Sequence, residues 1–400
     1  MNNLLRKEKN DNVTHILNKN ETKYFDDSNK NVRNYGIDLL RIFSTINIIV
    51  LHINKASKEL NYNHYSPRFN SIWLSETMAY WGVNGFGIIS GIVGYKKHKF
   101  SNLIFIWFQT FFYSVTTSFY NYLKTIKTNK QILFLSFFPI YTKYHWYVNA
   151  YACMYPFLPF INCGINNIDR VSIRNFIIII ICFFSIYDII VAIMIKKNNY
   201  NYLNSGYSPI WLIILYIVGG YLGKFIVRIQ KNKIMNYIFW LLIYFLSSFF
   251  SYYVFLILLK KKYKISYKLF ICYISPTILI QALSLILIFS RLNIHNFIIK
   301  KFISFLTPLT FNIILIHSTL LTKKYSLTLK FLNYFKELNH TFLILKTYGL
   351  ALLIYFFCAF IDYFRFLIFK KIKIKELCLF IEKISPKIID KIINLCSLNL

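Results

Sequence analysis

Three ionisable residues, Asp38, Arg41 and His52, sit in the apolar stretch NYGIDLLRIFSTINIIVLH. Such a stretch can enter a membrane, where ionisable side chains are costly and mark a functional site by default. Arg41 and His52 are eleven residues apart, about three helical turns, so they share a helix face roughly 16 Å apart along the axis. Asp38 lies one turn before Arg41, at the i,i+3 spacing of a helical ion pair. A guanidinium held by a carboxylate can grip a phosphate or carboxylate in fork geometry. A neutral imidazole about halfway across the bilayer can take a proton from a hydroxyl. One helix therefore offers an anion-binding end and a general base, and the remaining segments must enclose that face.

Other candidates are scattered along the chain. Asn84 and Ser90 lie in WGVNGFGIISGIVG, where their polar groups could stabilise a developing oxyanion. Gly87 and Gly91 in the same segment have GxxxG spacing, which lets helix backbones approach closely and predicts a central position in a bundle. His145, Trp146 and Tyr147 stand at the mouth of a later apolar run. Rings at such a place serve as interfacial anchors or as a stacking surface for a sugar, and the residues alone leave both open. His317 closes TPLTFNIILIHS, and Asp362 with Arg365 repeats the i,i+3 pairing late in the chain; the later pair reads as structural. The seven cysteines have no metal-ligand or disulfide spacing and read as small buried hydrophobes. No zinc-protease, P-loop, nucleophile-elbow or dinucleotide motif is present, which argues against those chemistries.

Composition supplies the setting. Of the 400 residues, 56% are hydrophobic and 16% charged, against roughly 25% charged in a soluble domain. The predicted fold is all-α, a polytopic membrane helix bundle with about ten transmembrane helices. The candidate spans are about 36–54, 79–96, 102–123, 146–163, 175–195, 208–227, 234–259, 268–290, 302–321 and 344–369. Residues 1–33 read as a disordered polar cytoplasmic tail, 34–370 as the membrane domain, and 371–400 as a basic amphipathic cytoplasmic tail. No signal-peptide pattern opens the chain, so the first span is expected to direct insertion. Ten spans put both tails on one side, and the tail lysines and arginines carry the positive-inside vote for cytoplasmic termini. The net charge of +32 lies in loops and tails, where it can meet anionic lipid headgroups. It forms no basic module, so the lipid bilayer is the expected partner and nucleic acid is not.

Together these landmarks resemble the acyltransferase-3 family of integral membrane proteins, which includes O-acetyltransferases of bacterial surface polysaccharides. GIDLLRIFSTINIIVLH is similar to the family's first span, in which an arginine is followed after ten residues by a histidine. NGFGIISGIVGY, HWYVNAYACMYPFLPFIN, PLTFNIILIHS and FIDYFRFLIF resemble later family segments in the same order. The likeness runs from about residue 34 to 370. It implies transfer of an acyl group, usually acetyl, from acyl-CoA (acetyl-CoA) as co-substrate to a hydroxyl of a saccharide or cell-surface glycan, with no tightly bound cofactor and no metal. It implies a catalytic role for His52, with Asp38 orienting Arg41, and donor binding by Arg41. Ser90 and His317 match motif positions whose roles are less settled. Ser90 is expected on the donor side, and Asn84, Trp146, Tyr147 and His317 on the substrate side. The location expected is the plasma membrane. The other class that suits buried charge in ten spans is a saccharide or lipid-linked glycan transporter or flippase.

Overall fold

The computed structural model describes residues 33–57, 60, 66–96, 98–125, 134–139, 145–195, 203–227, 234–260, 268–322 and 342–384. Among these residues there is no strand, and the architecture is all-helical. In chain order the helices are α1 (Tyr35–Ser57), α2 (Pro67–Ala79), α3 (Trp81–Gly94), α4 (Phe100–Thr125), α5 (Trp146–Met154), α6 (Leu158–Asn167), α7 (Arg170–Ile181), α8 (Tyr187–Ile195) and α9 (Pro209–Phe225). They continue with α10 (Ile234–Lys260), α11 (Pro276–Phe289), α12 (Phe297–Leu306), α13 (Thr310–Thr322) and α14 (Leu343–Lys371).

Among the described residues, five helical stretches are long and apolar enough to cross a membrane: Tyr35–Ser57, Arg170–Met194, Ile234–Lys260, Phe297–Ser318 and Leu343–Lys371. The chain is a membrane helix bundle, and two shorter apolar helices, Pro209–Phe225 and Pro276–Phe289, accompany these five. Several of the ten expected spans are shorter or broken for local reasons. The fourth expected span is broken by a 3₁₀ turn at Tyr155–Phe157, next to Pro156 and Pro159, because proline removes a backbone donor and clashes with the preceding turn. The eighth starts at Pro276 rather than 268, since proline is preorganised for the first helical position. The second shortens to α3, from Trp81 to Gly94. The 1–33 and 371–400 tails fall largely outside the described residues. Of the latter, 374–384 are helical, and Ile374 and Cys378 pack with Phe369 against Ile104, Phe105, Phe108 and Phe112 of α4.

Burial separates an inner set of helices from an outer one. α1 is buried along most of its length, whereas α7, α8, α10 and α14 present large apolar side chains such as Ile179, Met194, Leu246, Leu353 and Phe360 outward. Helices apolar all round and exposed in this way suit a lipid surround. The inner packing depends on small residues. A Cβ added at Gly91 of α3 would sit 2.9 Å from the Cα of Gly219 on α9, and one at Gly219 would meet the Ile88 carbonyl carbon at 2.9 Å. The two backbones cross where neither can carry a side chain, the central placement that the GxxxG spacing predicts.

The order of residues along α1 fixes the direction of its neighbours. Lys300 lies over the Tyr35 ring at 5.5 Å, and His317 faces His52. Tyr35 and His52 are 17 residues apart, and so are Lys300 and His317, so α12 and α13 run parallel to α1. α11 runs the other way, with Phe289 at its end stacked on Phe43 at 6.0 Å.

Candidate active site

His52 and His317 form the centre of the site. Their ring centroids are 4.8 Å apart with the planes tilted by 44°. The His317 Nδ1 lies 2.7 Å from the carbonyl oxygen of Ile313. A carbonyl can only accept, so Nδ1 carries the proton. The neutral His317 ring therefore keeps its lone pair on Nε2, an atom with no hydrogen-bond partner in the fold. The Nδ1 of His52 is likewise buried and unpartnered. His145, at the start of α5, is near enough to act electrostatically on both rings. Sequence reasoning placed His317 on the substrate side; the structure sets its ring beside the candidate base. Among the described residues, no group of three His, Cys, Asp or Glu is placed to hold a metal ion.

At the other end of α1, Arg41 Nη1 is 3.6 Å from Asp38 Oδ1, and both side chains are only partly buried. α1 is unbroken from Tyr35 to Ser57, so Arg41 and His52 keep their separation of roughly 16 Å along the axis. Arg41 is close enough for its charge to act on the phenols of Tyr147 and Tyr151, and Tyr147 is within hydrogen-bonding reach of Ser90. Asp38, Arg41, Ser90 and Tyr147 thus gather at one end. The Ser90 hydroxyl already donates to Phe86 O at 2.9 Å, so it meets Tyr147 as an acceptor.

Trp146 and Tyr147 stay together, their rings meeting edge-on at 5.7 Å. Trp146 also stacks on Tyr273 at 5.8 Å and packs on Tyr207 at 4.5 Å. Asn84 belongs to neither end. Its Nδ2 donates to Tyr273 O at 2.8 Å and its Oδ1 accepts from Trp211 Nε1 at 3.1 Å. The fully buried amide ties α3 to α9 and to the turn before α11, and the substrate and oxyanion contacts expected of it give way to that bracing. Asp362 and Arg365 are apart from the site and closed on themselves. Arg365 Nε and Nη2 donate to the two carboxylate oxygens at 2.8 and 2.7 Å, and Tyr113 donates to Oδ1 at 2.5 Å.

Between the two ends lie buried polar groups that sequence reasoning missed. Neither amide atom of Gln281 (α11) or Asn312 (α13) has a hydrogen-bond partner, and the Ser44 hydroxyl on α1 has none. An unsatisfied buried amide costs about 1–3 kcal/mol. Asn312 lies five residues before His317, about 7 Å along the helix. Gln281 precedes Phe289 by eight residues, which carries it about 12 Å along the axis from Phe43 to the level of His52. Ser44 and Asn312 thus lie at levels between Arg41 and the imidazole pair, and Gln281 at the level of the pair.

Another residue escaped the sequence reading. Glu76 on α2 is 8% exposed, and its Oε2 accepts from Asn54 Nδ2 at 2.9 Å. A legible signal was present. Phe69, Ile72, Trp73 and Glu76 fall on one helical stripe, so a carboxyl occupies a position of the buried face.

The fold and this site define a membrane-embedded helical enzyme with an imidazole pair in its interior. The family model for an acyltransferase domain matches residues 34–363, and the chain belongs to the acyltransferase-3 family. No curated protein and no solved structure matches the chain significantly.

Proposed function

We propose that this membrane acyltransferase moves an acetyl group from acetyl-CoA to a hydroxyl of a saccharide or cell-surface glycan. In this reading it lies in the plasma membrane with ten spans and both termini in the cytoplasm. The observation that carries it is the His52–His317 pair, set about three turns from a paired arginine on the same helix. Arg41, steadied by Asp38, binds the phosphates of the donor at the cytoplasmic end, beside Ser90 and Tyr147. The pantetheine arm has two amides, and the unpartnered carboxamides of Gln281 and Asn312 supply both donors and acceptors for such groups. His52 removes the proton from the acceptor hydroxyl. The oxygen attacks the thioester carbonyl, the carbon–sulfur bond breaks, and the leaving thiolate recovers the proton from the imidazolium. His317, held by Ile313 O, packs its ring against His52 and keeps an Nε2 lone pair available to the imidazolium that forms.

The test compares thioester cleavage and surface glycan mass with and without the protein. Acetyl-CoA and an acceptor should give free thiol and an added acetyl mass on one sugar. His52→Ala should lower transfer by about 10²–10⁴-fold, the span typical of a general base, while the protein still inserts. Near-normal turnover in that variant defeats the assignment. Sugar movement without thioester cleavage would identify a transporter instead.

A further inference from the structure

At the His52 end of α1, four rings and a carboxyl meet in a way the acyl-transfer chemistry does not itself require. Tyr273 packs on Tyr80 at 4.8 Å and on Tyr207 at 5.0 Å, in addition to its stacking with Trp146. These rings come from the α2–α3 join, the turn before α11, the segment before α9, and α5. Tyr80 and Tyr273 both lie within electrostatic reach of Glu76. Tyr207 is 40% exposed, which opens one edge of the group. Asn54 stands two residues beyond His52 on α1. Its Nδ2 bridges Glu76 Oε2 and Ser75 Oγ, while its fully buried Oδ1 has no partner.

We propose that Glu76 and Asn54, with the aromatic wall of Tyr80, Trp146, Tyr207 and Tyr273, form the subsite that docks a hexopyranose ring of the acceptor. The inference rests on the saccharide acceptor of the proposed function and names the residues that read it. A pyranose has an apolar face of ring C–H groups, which suits the flat faces of Trp and Tyr. Its adjacent hydroxyls need both donors and acceptors in a confined, mostly apolar site. Glu76 and Asn54 place a carboxyl and a carboxamide side by side for that purpose. Trp146 follows His145, which lies within electrostatic reach of both imidazoles, so a ring docked against this wall lies on the side of the imidazole pair. Glu76 is thus a specificity-determining residue, not a base. A merely structural Glu76 would tolerate glutamine, which keeps the shape and the acceptor for Asn54.

Saturation-transfer NMR on the full chain in lipid nanodiscs tests this, with methyl glucoside, galactoside, mannoside and 2-acetamido-2-deoxyglucoside as probes. Saturation should reach the ring C–H groups of at least one probe. Glu76→Gln should weaken its binding by about tenfold, the loss expected for one hydrogen bond to a charged group. Tyr207→Ala, which removes the exposed edge of the wall, should weaken it too. No saturation on any probe, or wild-type binding in both variants, would overturn the subsite. Probe binding that both variants weaken, in a chain that transfers no acetyl group, would support the subsite and remove the acyl-transfer reading. Acetyl transfer to a sugar with wild-type acceptor KM in both variants would do the reverse.

Discussion

The rings of His52 and His317 face each other at 4.8 Å, one from the first helix and one from α13. The hydrogen bond from His317 to Ile313 O fixes which nitrogen of His317 can accept. Glutamine at 317 keeps an acceptor near that position, and leucine does not. His317→Leu should therefore lower kcat by about 10²-fold, in the range of a lost acid–base arrangement, with KM for both substrates unchanged. His317→Gln should recover part of that loss. Steady-state kinetics on both variants check it, and equal activity in the two would end the role of the Nε2 lone pair.

The Asp362–Arg365 pair makes the opposite kind of prediction, one of stability. Both side chains are buried, at 0% and 2% exposure, and joined by two hydrogen bonds. Removing one partner of such a pair leaves an uncompensated charge and costs about 3–5 kcal/mol. Arg365→Ala should lower the melting temperature in detergent sharply. The double variant Asp362→Asn/Arg365→Leu should lie closer to wild type than Arg365→Ala does. A single variant that melts like the parent would show that the pair contributes little.

Glu76 links stability to pH. α2 lies before the second expected span, and burial pushes its carboxyl up from 4.5 to about 7, against the hydrogen bond from Asn54 and the charges of Lys268 and Lys55. The folded protein thus holds a proton that the unfolded chain has released over this interval. Stability falls as pH rises from about 4.5 to 7 and levels off above, by on the order of 3 kcal/mol in all. Glu76→Gln should flatten this slope in melting curves taken from pH 5 to 8. An unchanged slope in the variant would place its origin elsewhere.

Much of this was legible in the sequence, and the reasons are physical. The face shared by Arg41 and His52 follows from helical periodicity alone, and α1 is one unbroken helix. The glycine crossing of α3 was readable because small residues announce themselves by spacing. The meeting of His317 with His52, and the polar groups of Gln281 and Asn312, depend on which helices become neighbours. No local periodicity encodes that. Asn84 misled for the same reason, since only the fold reveals that Tyr273 and Trp211 hold its amide. Glu76 was legible in principle, but its helix is too short to read as a span.

The two imidazoles are 265 residues apart in the chain, and this has a consequence for biosynthesis. The ribosome makes α1 early, with its arginine and histidine already spaced for work. That histidine acquires its companion only when α13 has been made and has packed beside the first helix. A chain cut off before α13 carries the recognisable leading motif intact and still holds half a site. Activity therefore reports that the bundle has been assembled nearly to its last helix.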